Sequence, residues 1–300
     1  MGRSSDVPRE LRLAAFRGSD AVAAGLLTWS RLRCGGWRRL FTDVYVSADL
    51  RLDHRLWCEA AIVHTRRAPG VAVSGLSAAL LMGADLLPVG GCPVTLTVPP
   101  SIRVSSPHLV VVRSRLAAAD IVTVSRLPVT SPARTAFDVA RSLPRIDAVS
   151  AVDALLHRRI VTMTQARAYA AALRRGSRRA GTIFDLADEG AGSPMETRLR
   201  LCLVDAGLPC PETQVRVLSA DGSLIGRVDL AYRKQRIGIE YEGDHHRAPT
   251  AFRHDIARVN AMHEAGWIIV RVTADDIRYP ANLLRQLRAL LSTRPSIMAA

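Results

Sequence analysis

Ile237-Gly238-Ile239-Glu240-Tyr241-Glu242 alternates strictly. As a β-strand it turns Ile237, Ile239 and Tyr241 to one face of a sheet and Glu240 and Glu242 to the other. Two carboxylates then share a face. Asp229 lies on the preceding strand between Val228 and Leu230, and a hairpin turn near Arg233-Lys234-Gln235 brings it beside Glu240. Like charges on neighbouring strands destabilise a sheet unless something offsets them. A divalent cation, Mg²⁺ or Mn²⁺, held by Asp229, Glu240 and Glu242, is the expected offset, because such ions accept a few carboxylates plus water.

Working outward from this strand, the elements run helix, strand, strand, strand, helix, strand, helix. Ser193-Pro194-Met195-Glu196 opens a helix through Ala206, which stops at Gly207 with Pro209 beyond. Strands follow at Thr213–Ser219, Gly226–Tyr232 and Arg236–Glu242, the first two joined by the Asp221-Gly222 turn. A helix from Thr250 to Ala265, a strand over Trp267–Thr273 and a helix over Ala281–Leu291 complete the series. Upstream, Asp188-Glu189-Gly190-Ala191-Gly192-Ser193 changes charge and flexibility and marks a domain boundary.

Asp on one strand and Glu-x-(polar) on the next is the arrangement of the PD-(D/E)XK nucleases, and residues 193–291 resemble their very-short-patch-repair-like branch. The matching residues are Glu196, Asp229, Glu240-Tyr241-Glu242-Gly243-Asp244-His245-His246, Asp255, Arg258 and Gly266-Trp267-x-x-x-Val270-Arg271. The resemblance implies a restriction-endonuclease-like αβββαβ core and metal-dependent hydrolysis of DNA phosphodiesters. Asp229 and Glu240 would be primary ligands, Glu196 would assist from its helix, and His246 or His245 would position water or protonate the leaving oxygen. Arg258 and Arg271 would face DNA. Glu242 stands where the superfamily has lysine, so the usual stabiliser of the attacking water is missing, and Arg271 or a histidine would have to replace it.

Plainer readings stand beside these. Glu196 three residues after Ser193, with Pro194 at the first helical position, is a capping box that needs no catalysis. Asp255 and Arg258, three apart on a helix, make an ordinary ion pair. A DNA-binding transcriptional regulator without enzymatic activity, its nuclease fold serving as a binding or dimerisation module, is the alternative.

At the other end, apolar residues recur at helical spacing over 9–28, broken at Arg17-Gly18-Ser19-Asp20, where Ser19 or Asp20 can cap the next helix. A short helix over Thr28–Arg33 ends at Gly35-Gly36. Trp37-Arg38-Arg39-Leu40-Phe41-Thr42-Asp43-Val44-Tyr45-Val46 then reads as strand, corner and strand. Helices followed by a hairpin make a winged helix-turn-helix, with Arg31, Arg33, Arg38 and Arg39 near its recognition helix and wing. Residues 51–70 read as a helix, 94–98 and 109–113 as strands, and 134–175 as helices; Arg174-Arg175-Gly176-Ser177-Arg178-Arg179 reads as a basic loop or linker.

Gly25-Leu26-Leu27 with Gly36-Trp37-Arg38-Arg39-Leu40-Phe41-x-x-Val44-Tyr45 is similar to the N-terminal winged helix of AbiEi-type antitoxin regulators. Ser74-Gly75-Leu76-Ser77-Ala78-Ala79, the strand at Val94–Val98, and Pro128-Val129-Thr130-Ser131-Pro132-Ala133-Arg134-Thr135-Ala136-Phe137-Asp138 are similar to their second domain. That family's members bind DNA and repress their own operons, so the resemblance implies sequence-specific DNA contact. The expected organisation is an α/β multidomain chain: a winged helix over 1–50, an α/β middle region over 51–190 and a nuclease-like domain over 191–300.

The bulk numbers agree with two or three domains. The chain has 300 residues, 48% hydrophobic and 23% charged. No apolar run reaches the roughly eighteen residues of a membrane span, since Asp85 and Asp120 interrupt the best stretches. The N-terminus mixes Arg3, Asp6, Arg9 and Glu10 and has no apolar core, so no signal peptide and a cytoplasmic location are expected. Five cysteines without a C-x-x-C pair indicate neither disulfides nor a zinc ribbon. A G-x-x-x-x-G-K-[ST] loop is absent, which argues against a nucleotide kinase. The net charge of +14 is uneven: residues 1–190 hold 26 Lys+Arg against 15 Asp+Glu, and residues 191–300 hold 15 against 12. The basic excess lies in the first two thirds, where it attracts a polyanion. Lys234 is the single lysine, and arginine's planar fork suits phosphate. DNA is the expected partner, with homodimerisation left open.

Overall fold

The computed structural model describes residues 9–173, 176–243 and 249–294, a mixed α/β arrangement with three sheets among them. A 3-10 turn at Arg9–Leu11 leads to β1 (Phe16–Arg17), α1 (Gly18–Ala23) and α2 (Trp29–Arg33). β2 (Trp37–Phe41) and β3 (Val44–Ser47) form the expected hairpin, and β1 joins it in a sheet of order β1-β3-β2. The helical spacing of residues 9–16 is overridden because Phe16 pairs across from Tyr45, stacks on its ring and meets Trp37 edge-on at 4.9 Å. Ser19 and Asp20 lie within α1 instead of capping it. Asp43, at the hairpin corner, serves that end, accepting the Ser19 N–H at 2.8 Å and the Ser19 hydroxyl at 2.6 Å while Arg17 donates to it at 2.7 Å. Leu11, Ala21, Leu27 and Leu32 form the small core beneath.

Asp53 caps α3 (His54–His64), accepting from Leu56 N at 2.8 Å. β4 (Ala72–Val73), α4 (Gly75–Leu81), β5 (Val94–Val98), β6 (Leu109–Arg113), β7 (Ile121–Val124), β8 (Leu127–Thr130) and α5 (Pro132–Ser142) follow. The sheet runs β6-β5-β4-β8-β7, with β5–β6 and β4–β8 parallel. Of these strands only β5 and β6 were expected. β4 is two residues long, and the β7–β8 turn uses Ser125 and Arg126 at φ 48° and 68°, a left-handed pair without the glycine or asparagine that usually announces such a turn. Ile62 of α3 packs with Leu96 and Val129 in the core of this sheet.

After α5 come α6 (Arg145–His157), α7 (Met163–Ala171) and α8 (Ser177–Leu186). The basic stretch expected to be a loop or linker is helical from Ser177 onward, because Ala180, Ile183 and Phe184 form a buried stripe. Residues 1–139 with 160–177 make one compact unit, and 140–159 with 178–300 a second.

In the second unit α9 (Pro194–Asp205) precedes β9 (Glu212–Leu218), β10 (Leu224–Tyr232), β11 (Ile237–Tyr241), α10 (Pro249–Glu264), β12 (Ile268–Val272), α11 (Ala274–Arg278) and α12 (Ala281–Thr293). The sheet order is β12-β11-β10-β9, with β11 parallel to β12 and the other pairs antiparallel. Leu199 and Leu203 of α9 and Leu283 and Leu287 of α12 pack with Ile237 and Ile239, while Met262 of α10 packs with Val215, Val217 and Val228. Among the described residues no helix is long and apolar enough to cross a membrane.

Candidate functional site: acidic side chains closed by arginine

Glu196 sits in the first turn of α9, and Ser193 caps that helix by accepting the Glu196 N–H at 3.2 Å. The Glu196 carboxylate turns back to accept from Gly192 N and from the Gln214 side-chain amide, each at 2.8 Å. Glu196 therefore does the work of a helix-end carboxylate, displaced one residue from the usual capping box. Gln214 on β9 had no signal in the sequence. It adopts φ 52°, a left-handed conformation inside a strand, and its side-chain amide oxygen is buried without a partner among the described residues.

The β10–β11 register pairs Leu230 with Ile239, and one step further sets Asp229 opposite Glu240. Asp229 accepts the Tyr241 backbone N–H at 2.9 Å. Burial pushes its carboxyl up to about 6; the Tyr241 N–H opposes this, and the nearby charges of Glu196 and Glu240 add to it.

Glu240 is 7% exposed. Arg258, reaching down from α10, donates to both of its oxygens, at 2.6 and 3.0 Å, and to Asp255 at 2.7 Å. These bonds raise the Arg258 pKa and hold its charge on the pair. Gly226 makes the close approach possible, since a Cβ there would lie 3.1 Å from the Arg258 stem and 2.8 Å from the Met262 methyl. Arg271, opposite Glu240 in the β11–β12 register, pairs with Asp255 and with Glu242 at 3.1 Å. A continuous chain results: Glu240, Arg258, Asp255, Arg271, Glu242. Asp255 and Arg258 are thus more than a surface pair.

This donor set, as arranged, does not fit a hard divalent cation. Both oxygens of Glu240 carry a guanidinium, Glu242 carries another, and among the described residues no three His, Cys, Asp or Glu groups converge to hold a metal. His245 and His246 lie outside the described residues.

Of the arginines nominated for DNA, Arg31 and Arg33 are exposed on α2 and Arg39 is exposed on β2. Arg38 turns inward, donating to the Leu50 carbonyl, with its Nε buried. A second ion pair missed by the sequence reading is buried: Asp153 of α6 binds Arg200 of α9 at 2.8 Å, and burial raises the Asp153 pKa even so.

Residues 71–186 match the AbiEi antitoxin C-terminal domain. Two uncharacterized proteins of Mycobacterium tuberculosis, from strains CDC 1551 and H37Rv, are each 33% identical over 255 residues, which is 83% of this chain and 89% of theirs.

Proposed function

The chain belongs to one family with these two Mycobacterium tuberculosis proteins and carries an AbiEi antitoxin C-terminal domain, and on that premise we propose that it is a DNA-binding regulator of the antitoxin kind with no hydrolytic step. The observation that carries the choice is the pair of bonds from Arg258 to both oxygens of Glu240. A carboxylate already neutralised by a bidentate arginine has no need of a cation, and the pair steadies the sheet instead.

DNA contact falls to residues 1–50, read as a winged helix built from α1, α2 and the β2–β3 hairpin, with Arg31, Arg33 and Arg39 toward phosphate. The excess of 26 basic over 15 acidic side chains in residues 1–190 supports this reading. Residues 191–300 are read as a restriction-endonuclease-like core retained as a scaffold.

A second reading, hydrolysis of DNA with Mg²⁺ or Mn²⁺, is favoured by one observation: Asp229, Glu196 and Glu240 lie close enough for their charges to oppose the ionisation of Asp229. The two readings separate in one experiment, in which the full chain is incubated with supercoiled plasmid and with a duplex from upstream of its own gene, in Mg²⁺ and in Mn²⁺. Retardation that weakens with salt and in Arg33→Ala/Arg39→Ala, without cutting, is the expected result. Cutting by the wild type that disappears in Asp229→Ala and Glu240→Ala would replace the regulator with the nuclease.

A further inference from the structure

A cavity of about 600 Å³ opens in the first unit, within the size range of small-molecule sites. Its floor is apolar, with Leu11, Ala15, Ala21 and Val63 all buried, and Arg17, Arg66 and Arg67 reach it together with Ser19 and Asp20. Arg17 is tied to Asp43 at 2.7 Å. Arg66 and Arg67 are exposed, and among the described residues Arg66 acts on Asp43, and Arg67 on Glu59, as charges through space.

The backbone at these two residues is unusual. They close the end of α3, with Arg66 N donating to Val63 O at 2.9 Å and Arg67 N to Ile62 O at 3.1 Å, and they do so at φ 56° and 51°. Left-handed residues past a helix end are ordinarily glycine, because a side chain there meets its own backbone. Two consecutive arginines in that conformation line a cavity with an apolar floor, at a conformational cost that glycine would avoid.

We propose that this cavity binds a small amphipathic organic anion, its acyl or aryl body on the Leu11–Ala21–Val63 floor and its acidic head between Arg66 and Arg67. The proposal is independent of how the second unit is read. The discriminating variant is Arg66→Gly/Arg67→Gly, since glycine suits the backbone and removes only the side chains.

The probes are 8-anilinonaphthalene-1-sulfonate by fluorescence and decanoate, below its micellar concentration, by thermal shift, with decyltrimethylammonium as the cationic control. Decanoate is expected to displace the fluorophore and raise the wild-type Tm, as a ligand of the folded state does. The cation should do neither. The glycine variant should keep its circular dichroism, melt at the same or a higher temperature, and bind decanoate at least about tenfold more weakly; Arg66→Gln/Arg67→Gln should show the same loss. Failure of decanoate to bind the wild type would overturn the proposal. So would unchanged binding with a lowered Tm in the glycine variant, which would assign the arginines to the α3 dipole. A variant that loses DNA retardation while the wild type never binds decanoate would make them phosphate contacts instead.

Discussion

Asp229 is an acid that burial and two neighbouring acids keep reluctant to ionise, with its carboxyl pushed from an ordinary 3.8 to about 6. Folded, it holds its proton more tightly than unfolded, so the native state is favoured while the group is protonated. Stability from this site therefore falls as the pH climbs from about 4 to about 6. A shift of this size would be worth roughly 3 kcal/mol in full, and the partial exposure of the carboxyl reduces it to about 1–2 kcal/mol. Asp229→Asn, whose amide oxygen can still accept the Tyr241 N–H, should stabilise the protein by that amount at pH 7.5 and leave it nearly unchanged at pH 4. Urea midpoints of the two proteins at both pH values measure the difference, and an equal gap at pH 4 would mean that ionisation of Asp229 is not its source. The proximity of Asp229 and Glu240 was legible from the sequence because a two-residue period and a hairpin leave few registers. Gln214 was not, since nothing in its letter reports a left-handed strand residue or a buried amide oxygen without a partner among the described residues.

At the scale of elements, α10 is held to the sheet by a polar clasp as well as by Met262. Arg258 lies over Gly226 and closes on Glu240 of β11, whose side chain is 9% exposed against 28% for the arginine. Removing the arginine strands a buried carboxylate. Arg258→Met should lower stability by about 2–3 kcal/mol, and adding Glu240→Gln should recover most of the loss, because the penalty belongs to the unpaired charge. Strictly additive losses in a double-mutant cycle would refute the clasp. The order of α9 to β12 could be read from apolar periodicity, and so could the helix that bears Arg258. Its partner could not. An arginine near the middle of a helix is equally suited to solvent, to phosphate or to a carboxylate on the next layer, and the glycine that admits it stands 32 positions earlier in the chain. The small elements escaped for a different reason. β1 and β4 are two residues each, too short for any period to register, and they exist because neighbouring strands supply their partners.

For the whole molecule, the family match and the compact units do not share their borders. The matched segment 71–186 includes α6 and α8, which belong to the second unit. There α6 lies along α9: Arg145 pairs with Asp205 at 2.7 Å, Asp147 with Arg198 at 2.8 Å, and Asp153, 1% exposed, with Arg200 at 2.8 Å and with the Thr197 hydroxyl at 2.8 Å. The first two pairs are exposed and contribute little. Asp153 is different, because its partners all lie beyond residue 187, including the Asp188 N–H at 2.7 Å. A fragment ending at residue 190 would keep that N–H but leave the carboxylate without Arg200 and Thr197, on a helix whose Ala148, Val152 and Leu155 are also buried. Without α9 that apolar face of α6 is opened to water together with Asp153, and burial of this kind is a large share of what holds a domain of this size together. Residues 1–190 expressed alone should therefore melt broadly, and the full chain should show a sharp transition over the same region by hydrogen exchange at α6. If the fragment melts as cooperatively as the full chain and protects α6 equally, the antitoxin domain is self-sufficient and α9 is only its neighbour.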